Sequence, residues 1–331
     1  MPAPTSSLIT LRPELATFEA LDSEMNTRGY IATRLMPPHE VGMASGTYSA
    51  VTLKSLLAHA DADTKRSNTG GYNRGDYEFE ERTFKTERSG WEERVDEREL
   101  AMYTDFFDLE DMARMRAWEV VLNRLEAEVI DSTVNASVTA ARTNAAGALW
   151  TDLVNATPLD DVQVACEAVW ARTGLWPNVM GISRKTFKYL RRCVQVLNAI
   201  KSDGAGDSAL QERVSASMVA EALGLEEVVI SDAIQNTANR AKTPVVASRF
   251  PDDKAWISVR SISRDVKQPQ YGRILHWGGD GSEISDSDER LIGVVESYEE
   301  PQTSSQWIRV RHDVDHHVQY PEAGQVITGV A

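Results

Sequence analysis

The chain has 331 residues, a formal net charge of −15 and 42% apolar residues, enough to build one large core or two modest ones. No stretch approaches the length needed to span a bilayer, and Met1-Pro2-Ala3-Pro4-Thr5 lacks the charged and apolar blocks of a signal peptide, so no membrane partner is expected. The acidic balance disfavours tight nucleic-acid binding, because no Lys/Arg run is longer than Arg191-Arg192. The cysteines, Cys166 and Cys193, sit at apolar positions of predicted helices, which reads as a reducing compartment without a disulfide framework.

Residues 1–45 are poorly periodic, with Pro2, Pro4, Pro13, Pro37 and Pro38 spread through them. Such a segment reads as an extended arm that needs a neighbour to lie on, with a short amphipathic helix over 14–26. From Tyr48 to Glu99 charged and aromatic residues alternate. Asp76-Tyr77-Glu78-Phe79-Glu80 reads as a strand, Thr83-Phe84-Lys85-Thr86 as its partner, and Ser67-Asn68-Thr69-Gly70-Gly71 as a flexible turn. A long two-stranded excursion has almost no core of its own and must lie on another surface.

Residues 105–136 predict a long helix. Met115, Trp118, Leu122, Leu125 and Val129 form its apolar seam, and Asp108, Glu110 and Asp111 sit where the helix dipole favours anions. Its single seam and charged back read as a spine on which a sheet packs. Thr157-Pro158-Leu159-Asp160 opens the next helix with a hydroxyl cap, Pro at the first position and a carboxylate able to reach back to free N–H groups. Val162, Cys166 and Val169 mark its buried face, and Gly174 sits where a left-handed residue would end it. The apolar run Leu175–Gly181 follows. Ser183 starts a helix carrying Phe187, Leu190, Val194 and Leu197, and a further helix ends at Ala222-Leu223-Gly224 before the strand Val228-Val229-Ile230. From Pro244 onward strands dominate: Lys254–Val259, Leu291–Tyr298, Trp307–Arg311 and Val326–Thr328, with a loop at Gly278–Ser282.

This order of elements resembles the major capsid proteins of tailed bacteriophages, with the Hong Kong 97-type fold. The residues that carry the resemblance are Thr173-Gly174, Pro177-Asn178, Phe187 with Leu190, Ala222-Leu223-Gly224, Val228-Val229-Ile230, and Ala233 with Asn236. Met36-Pro37-Pro38-His39-Glu40-Val41 resembles the family's step into its extended loop, and the spine helix follows that loop as the family's does. The resemblance covers about Arg28 to Val330. It implies an α+β fold divided into an N-terminal arm (1–47), an extended β-hairpin loop (48–100), a peripheral domain with the spine helix (101–181), an axial α/β domain (182–295) and a return to the peripheral domain (296–331), in which a terminal strand rejoins the spine-helix domain. It also implies self-assembly into pentamers and hexamers of an icosahedral shell around double-stranded DNA, in a virion assembled in the host cytoplasm. A separate scaffolding protein, a portal and decoration proteins are the further partners expected. An acidic wall would repel packed DNA rather than grip it. The same fold would also serve an encapsulin-type nanocompartment.

No nucleophile elbow, Cys–His pair or dinucleotide fingerprint is present, and neither a catalytic residue nor a cofactor is expected. The one cluster suited to a metal-dependent hydrolase is His312-Asp313-Val314-Asp315-His316-His317. On a strand its alternate residues point to opposite faces, so His312 and Asp313 could not share an ion, and a structural or surface role is expected. Gly278-Gly279-Asp280-Gly281-Ser282 lacks the Lys-Ser/Thr of a phosphate loop and reads as a turn, as does Gly70-Gly71 with Lys65 and Arg74. Some phage shells cross-link an extended-loop Lys to an Asn. Lys65 and Lys85 lie in the matching segment, but no Asn or Glu partner matches, so non-covalent locking is expected.

Overall fold

A computed structural model describes residues 10–11, 29–52, 55, 70, 78–103, 108–135, 139, 141–202, 214–238, 242–261, 269–279 and 293–331. The helix expected over 14–26, the turn at 67–71 apart from Gly70, and most of Gly278–Ser282 lie outside these residues.

The spine helix is Leu109–Val134, 26 residues and so roughly 39 Å long. Asp108 caps it by accepting from the N–H groups of Glu110 (2.9 Å) and Asp111 (3.2 Å). Trp118, Leu122, Leu125 and Val129 are buried as the spacing requires, but Met115 is 39% exposed. The seam is rotated: Arg114, Ala117, Val121, Glu126 and Ile130 complete the buried face, which lies across the strands Glu87–Asp96 and Ser305–Val318.

Those strands belong to a six-stranded sheet. Ser305–Val318 is its longest member, pairing antiparallel with Glu87–Asp96, Val294–Glu300 and Gly272–Trp277. Alternation sorts its side chains. Ile308, Val310 and Val314 enter the core under the spine helix. On the opposite face Arg309 pairs with Glu92 (2.6 Å), and Arg311 with Glu296 (2.8 Å).

A five-stranded sheet combines Thr143–Ala145, Gly324–Thr328, Lys254–Ser258, Val179–Ser183 and Glu227–Ser231 in that order. It is apolar on both faces, as covered sheets must be. Val179, Val229, Trp256 and Val326 join the spine-helix core. Met180, Ile182, Val228, Ala255, Ile257 and Ile327 enter a second core roofed by the helices Pro158–Thr173, Val194–Ser202 and Ala216–Leu223. The closing strand, expected to rejoin the spine-helix domain, is thus hydrogen-bonded in this second sheet and reaches the spine core only through the Val326 side of its pleat.

Several local expectations change. The Thr157 hydroxyl makes no cap bond. Gln195 substitutes for it, accepting from Leu159 N–H (3.0 Å) and donating to Asp160 (3.0 Å), so Asp160 does not turn back onto its own helix. The helix begun by Ser183 is two helices, Arg184–Leu190 and Val194–Ser202, because Val194 N–H goes to the Leu153 carbonyl (2.9 Å) instead of continuing the ladder. Ser183 does cap the first by accepting from Thr186 N–H (3.2 Å), and Gly174 and Gly224 end their helices at φ 71° and 70°.

The arm is the larger correction. Residues 30–36 do not wait for a neighbour: Tyr30, Ile31, Ala32, Leu35 and Met36 lie in the spine-helix core, around the short helix Ala32–Leu35. Pro38–Val41 adds a parallel strand beside Gly272–Trp277. The anchor is Glu126 of the spine helix, fully buried, whose carboxylate accepts from the N–H groups of Ile31 (3.0 Å) and Ala32 (2.7 Å). Arg34 adds an ion pair to Glu227.

Gly293 shows how tightly the spine is seated, since a Cβ there would fall inside the Trp118 indole. Gly293→Ala is expected to lower the stability of the subunit by about 1–3 kcal/mol or more through overpacking, measured by urea denaturation. An unchanged midpoint would mean that the ring has room to move.

Candidate functional site

The segment that leaves the body of the molecule is a hairpin. Ser45–Val51 pairs antiparallel with Phe79–Lys85, from Ser45 opposite Lys85 to Val51 opposite Phe79. The expected partners were 76–80 with 83–86. Instead Phe79–Lys85 is one strand and its partner, Ser45–Val51, lies before the loop, with Tyr48 and Ala50 on one face of the ladder and Val51 beside Phe79 on the other. This two-stranded sheet has Met43 64% and Phe79 60% exposed near it, which is the condition of an element that lacks a core of its own.

The His312–His317 run roots this hairpin. His317 Nε2 lies 2.6 Å from the Tyr48 hydroxyl, and the two rings meet edge to face at 5.5 Å. Asp315 accepts from the backbone N–H of Lys85 (3.4 Å). Tyr320 donates its hydroxyl to the Val51 carbonyl (2.9 Å), and Arg82 lies over the Tyr320 ring. Asp313 is buried and pairs with Arg88 (3.2 Å). The other face of the strand behaves differently: His316 approaches Glu128 of the spine helix (3.9 Å), and His312 is buried, its Nδ1 without a hydrogen-bonding partner among the described residues.

The strand therefore sends His312 and His316 one way and Asp313, Asp315 and His317 the other. Among the described residues no group of three His, Cys, Asp or Glu side chains is placed to hold an ion. Burial pushes the His317 imidazole below its ordinary value, with Asp315 opposing and Arg82 adding to the fall. His312 is driven much further, down to about 3, by burial and then by His276. Both cysteines are buried, and burial pushes their thiols up to about 11, which leaves no thiolate for chemistry at neutral pH. Lys85 ends the hairpin strand, while Lys65 lies outside the described residues.

Sequence reasoning missed the charged groups around a cleft of about 720 Å³ beside the helix Arg184–Leu190. The cations lie three and four residues apart, so helical spacing was the signal that could have found them. Arg184 pairs with Asp232, and Lys185 with Asp252 (3.2 Å). No helix among the described residues is long and apolar enough to cross a membrane.

No family model and no curated protein matches the sequence. Among solved structures, the chain is similar to a phage-related protein of Bordetella bronchiseptica, at 18% identity over 97% of both chains with a TM-score of 0.66. It is also similar to the capsid structure of the cyanophage P-SCSP1u, at 11% identity over 89% of this chain and 86% of that one, with a TM-score of 0.55. The chain has the Hong Kong 97-type capsid fold. A third similar structure is the encapsulin of Synechococcus elongatus, at 14% identity over 100% of this chain and 92% of that one, with a TM-score of 0.51. Ser45–Val51 paired with Phe79–Lys85, the long helix Leu109–Val134 and the five-stranded sheet with its roof of helices are the parts of this fold among the described residues.

Proposed function

We propose that this chain is a major capsid protein that self-assembles into pentamers and hexamers of an icosahedral shell enclosing phage double-stranded DNA. The observation that carries the reading is the hairpin Ser45–Val51/Phe79–Lys85 on a Hong Kong 97-type body: a two-stranded ladder held to the body by His317, Asp315 and Tyr320, with Phe79 left exposed on it. Such an element gains its stability from a neighbouring subunit, so association completes folding. Its role is structural and not enzymatic. The division into arm, extended loop, peripheral and axial domains at 47, 100, 181 and 295 is part of the same proposal, with residues 30–41 of the arm belonging to the subunit's own core. Scaffolding, portal and decoration proteins are the partner classes that the reading brings with it, in a virion assembled in the host cytoplasm. The net charge of −15 suits a wall that holds DNA without gripping it.

Negative-stain electron microscopy of the expressed protein tests this. Shells, tubes or capsomer rings are the expected result, and a dispersed monomer at high concentration would sink it. The similarity to the Synechococcus encapsulin supports a second use of the same shell, as a container for a protein cargo. The contents of particles purified from the native host separate the two: nucleic acid for the first, a co-purifying enzyme for the second.

A further inference from the structure

The cleft beside Arg184–Leu190 gathers several cations in an otherwise acidic chain. Arg184, Lys185, Lys188 and Arg191 stand around it, over a floor of Phe187 and Ile230. The side chains of Arg184 and Lys185 are already paired, but among the described residues those of Lys188 and Arg191 have no hydrogen-bonding or ionic partner. Among the described residues the Arg191 Nε, the Ser231 Oγ and one carboxylate oxygen of Asp232 on the cleft wall are screened from water and without a hydrogen-bonding partner, the other Asp232 oxygen being held by Arg184. A cation left in that condition costs free energy until an anion reaches it.

We propose that this cleft receives the hairpin of a second copy of the chain, with Phe79 on the apolar floor and Glu81 on Lys188 and Arg191. The proposal rests on the shell-building reading. Phe79 and Glu81 are both exposed, Phe79 by 60%. Standing two apart on a strand, they point to the same face about 7 Å from each other. Phe187 and Arg191 are four apart on a helical turn, closed by Arg191 N–H donating to the Phe187 carbonyl (3.0 Å), and so present their side chains about 6 Å apart on one side. An aromatic followed at strand spacing by an acid thus meets an apolar floor followed at helical spacing by a base. Glu80, on the opposite face, is held by its own Arg82 (2.8 Å) and leaves the contact to Glu81. Nucleic acid fits the cleft less well, since the floor offers nothing to a phosphate and the net charge repels the polymer.

Two measurements on the full chain test the contact. Ile234 is exposed on the lining of the cleft, and in shells carrying both Phe79→Cys and Ile234→Cys oxidation should give a ladder of cross-linked subunits on a non-reducing gel, absent from either single variant. The pair Lys188→Glu with Arg191→Glu should lower shell yield by at least about tenfold, and adding Glu81→Lys should restore it. Intact shells that give no ladder, together with charge reversal that leaves the yield unchanged, would overturn the contact while leaving the shell-building reading in place. A failure of the unsubstituted chain to assemble would overturn both. Loss of co-purifying nucleic acid on charge reversal, without a ladder, would assign the cleft to phosphate and overturn the proposal.

Discussion

Replacing Glu126 by Gln should turn the shallow stability profile of the unsubstituted subunit between about pH 4.5 and pH 6.5 into one that rises with pH. The carboxyl is held at about 7 by burial, which outweighs the N–H groups of Ile31 and Ala32 and the charge of Arg249 that pull the other way. A carboxyl raised from its ordinary 4.5 binds its proton more tightly in the folded chain than in the unfolded one. The stability it contributes is complete below about pH 4.5 and is lost as the pH rises through about 7, a change of about 3 kcal/mol. Gln keeps an oxygen for the two N–H groups and has no proton to lose. Urea denaturation of the dispersed subunit across this range checks it, and an unchanged slope in Glu126→Gln would show that another group carries the dependence. Glu126→Ala should be worse at every pH, since it leaves the Ile31 and Ala32 N–H groups buried and unpaired at about 1–3 kcal/mol each.

His312 sets the opposite limb. Its imidazole, depressed to about 3 by burial and His276, stays neutral in the folded chain long after an exposed histidine would charge. Stability is therefore complete above about pH 6.5 and is lost as the pH falls through the window down to about 3, on the order of 5 kcal/mol at the acid end. Between 4.5 and 6.5 the two groups offset one another, so the unsubstituted chain should show a shallow profile there. His312→Leu should expose the downward slope of Glu126 alone, and Glu126→Gln the upward slope of His312 alone. Following the His312 ring resonances by NMR gives a direct check, and titration near 6.5 would remove the acid limb from the account.

These two residues also mark where the sequence could be read and where it could not. Local signals held wherever the partner lies within a turn or two. Asp108 and Ser183 cap their helices, Gly174 and Gly224 end theirs, and the apolar runs at 179–183, 227–231 and 254–258 are strands buried on both faces. Readings failed where the deciding partner is distant. A glutamate inside a helix reads as solvent face, and Glu126 is buried because its partners are Ile31 and Ala32, some 95 residues earlier. The hairpin register depends on a strand that pairs from before a long loop, and the break at Arg191–Cys193 on a carbonyl at Leu153. The His312–His317 cluster was readable in part: strand alternation already divided it, but nothing local said that one half would hold the hairpin and the other the spine.

That division has a mechanical consequence. His317 touches the hairpin through Tyr48, and its neighbour His316 reaches Glu128 on the spine from the reverse side of the same strand. The strand Ser305–Val318 is a rigid beam loaded on both sides, so the hairpin cannot swing as an independent flap. A torque applied to the hairpin either breaks its contacts with His317, Asp315 and Tyr320 or is delivered towards the C-terminal end of the long helix. Strain taken up by one subunit on meeting its neighbour is in this way passed into its own body.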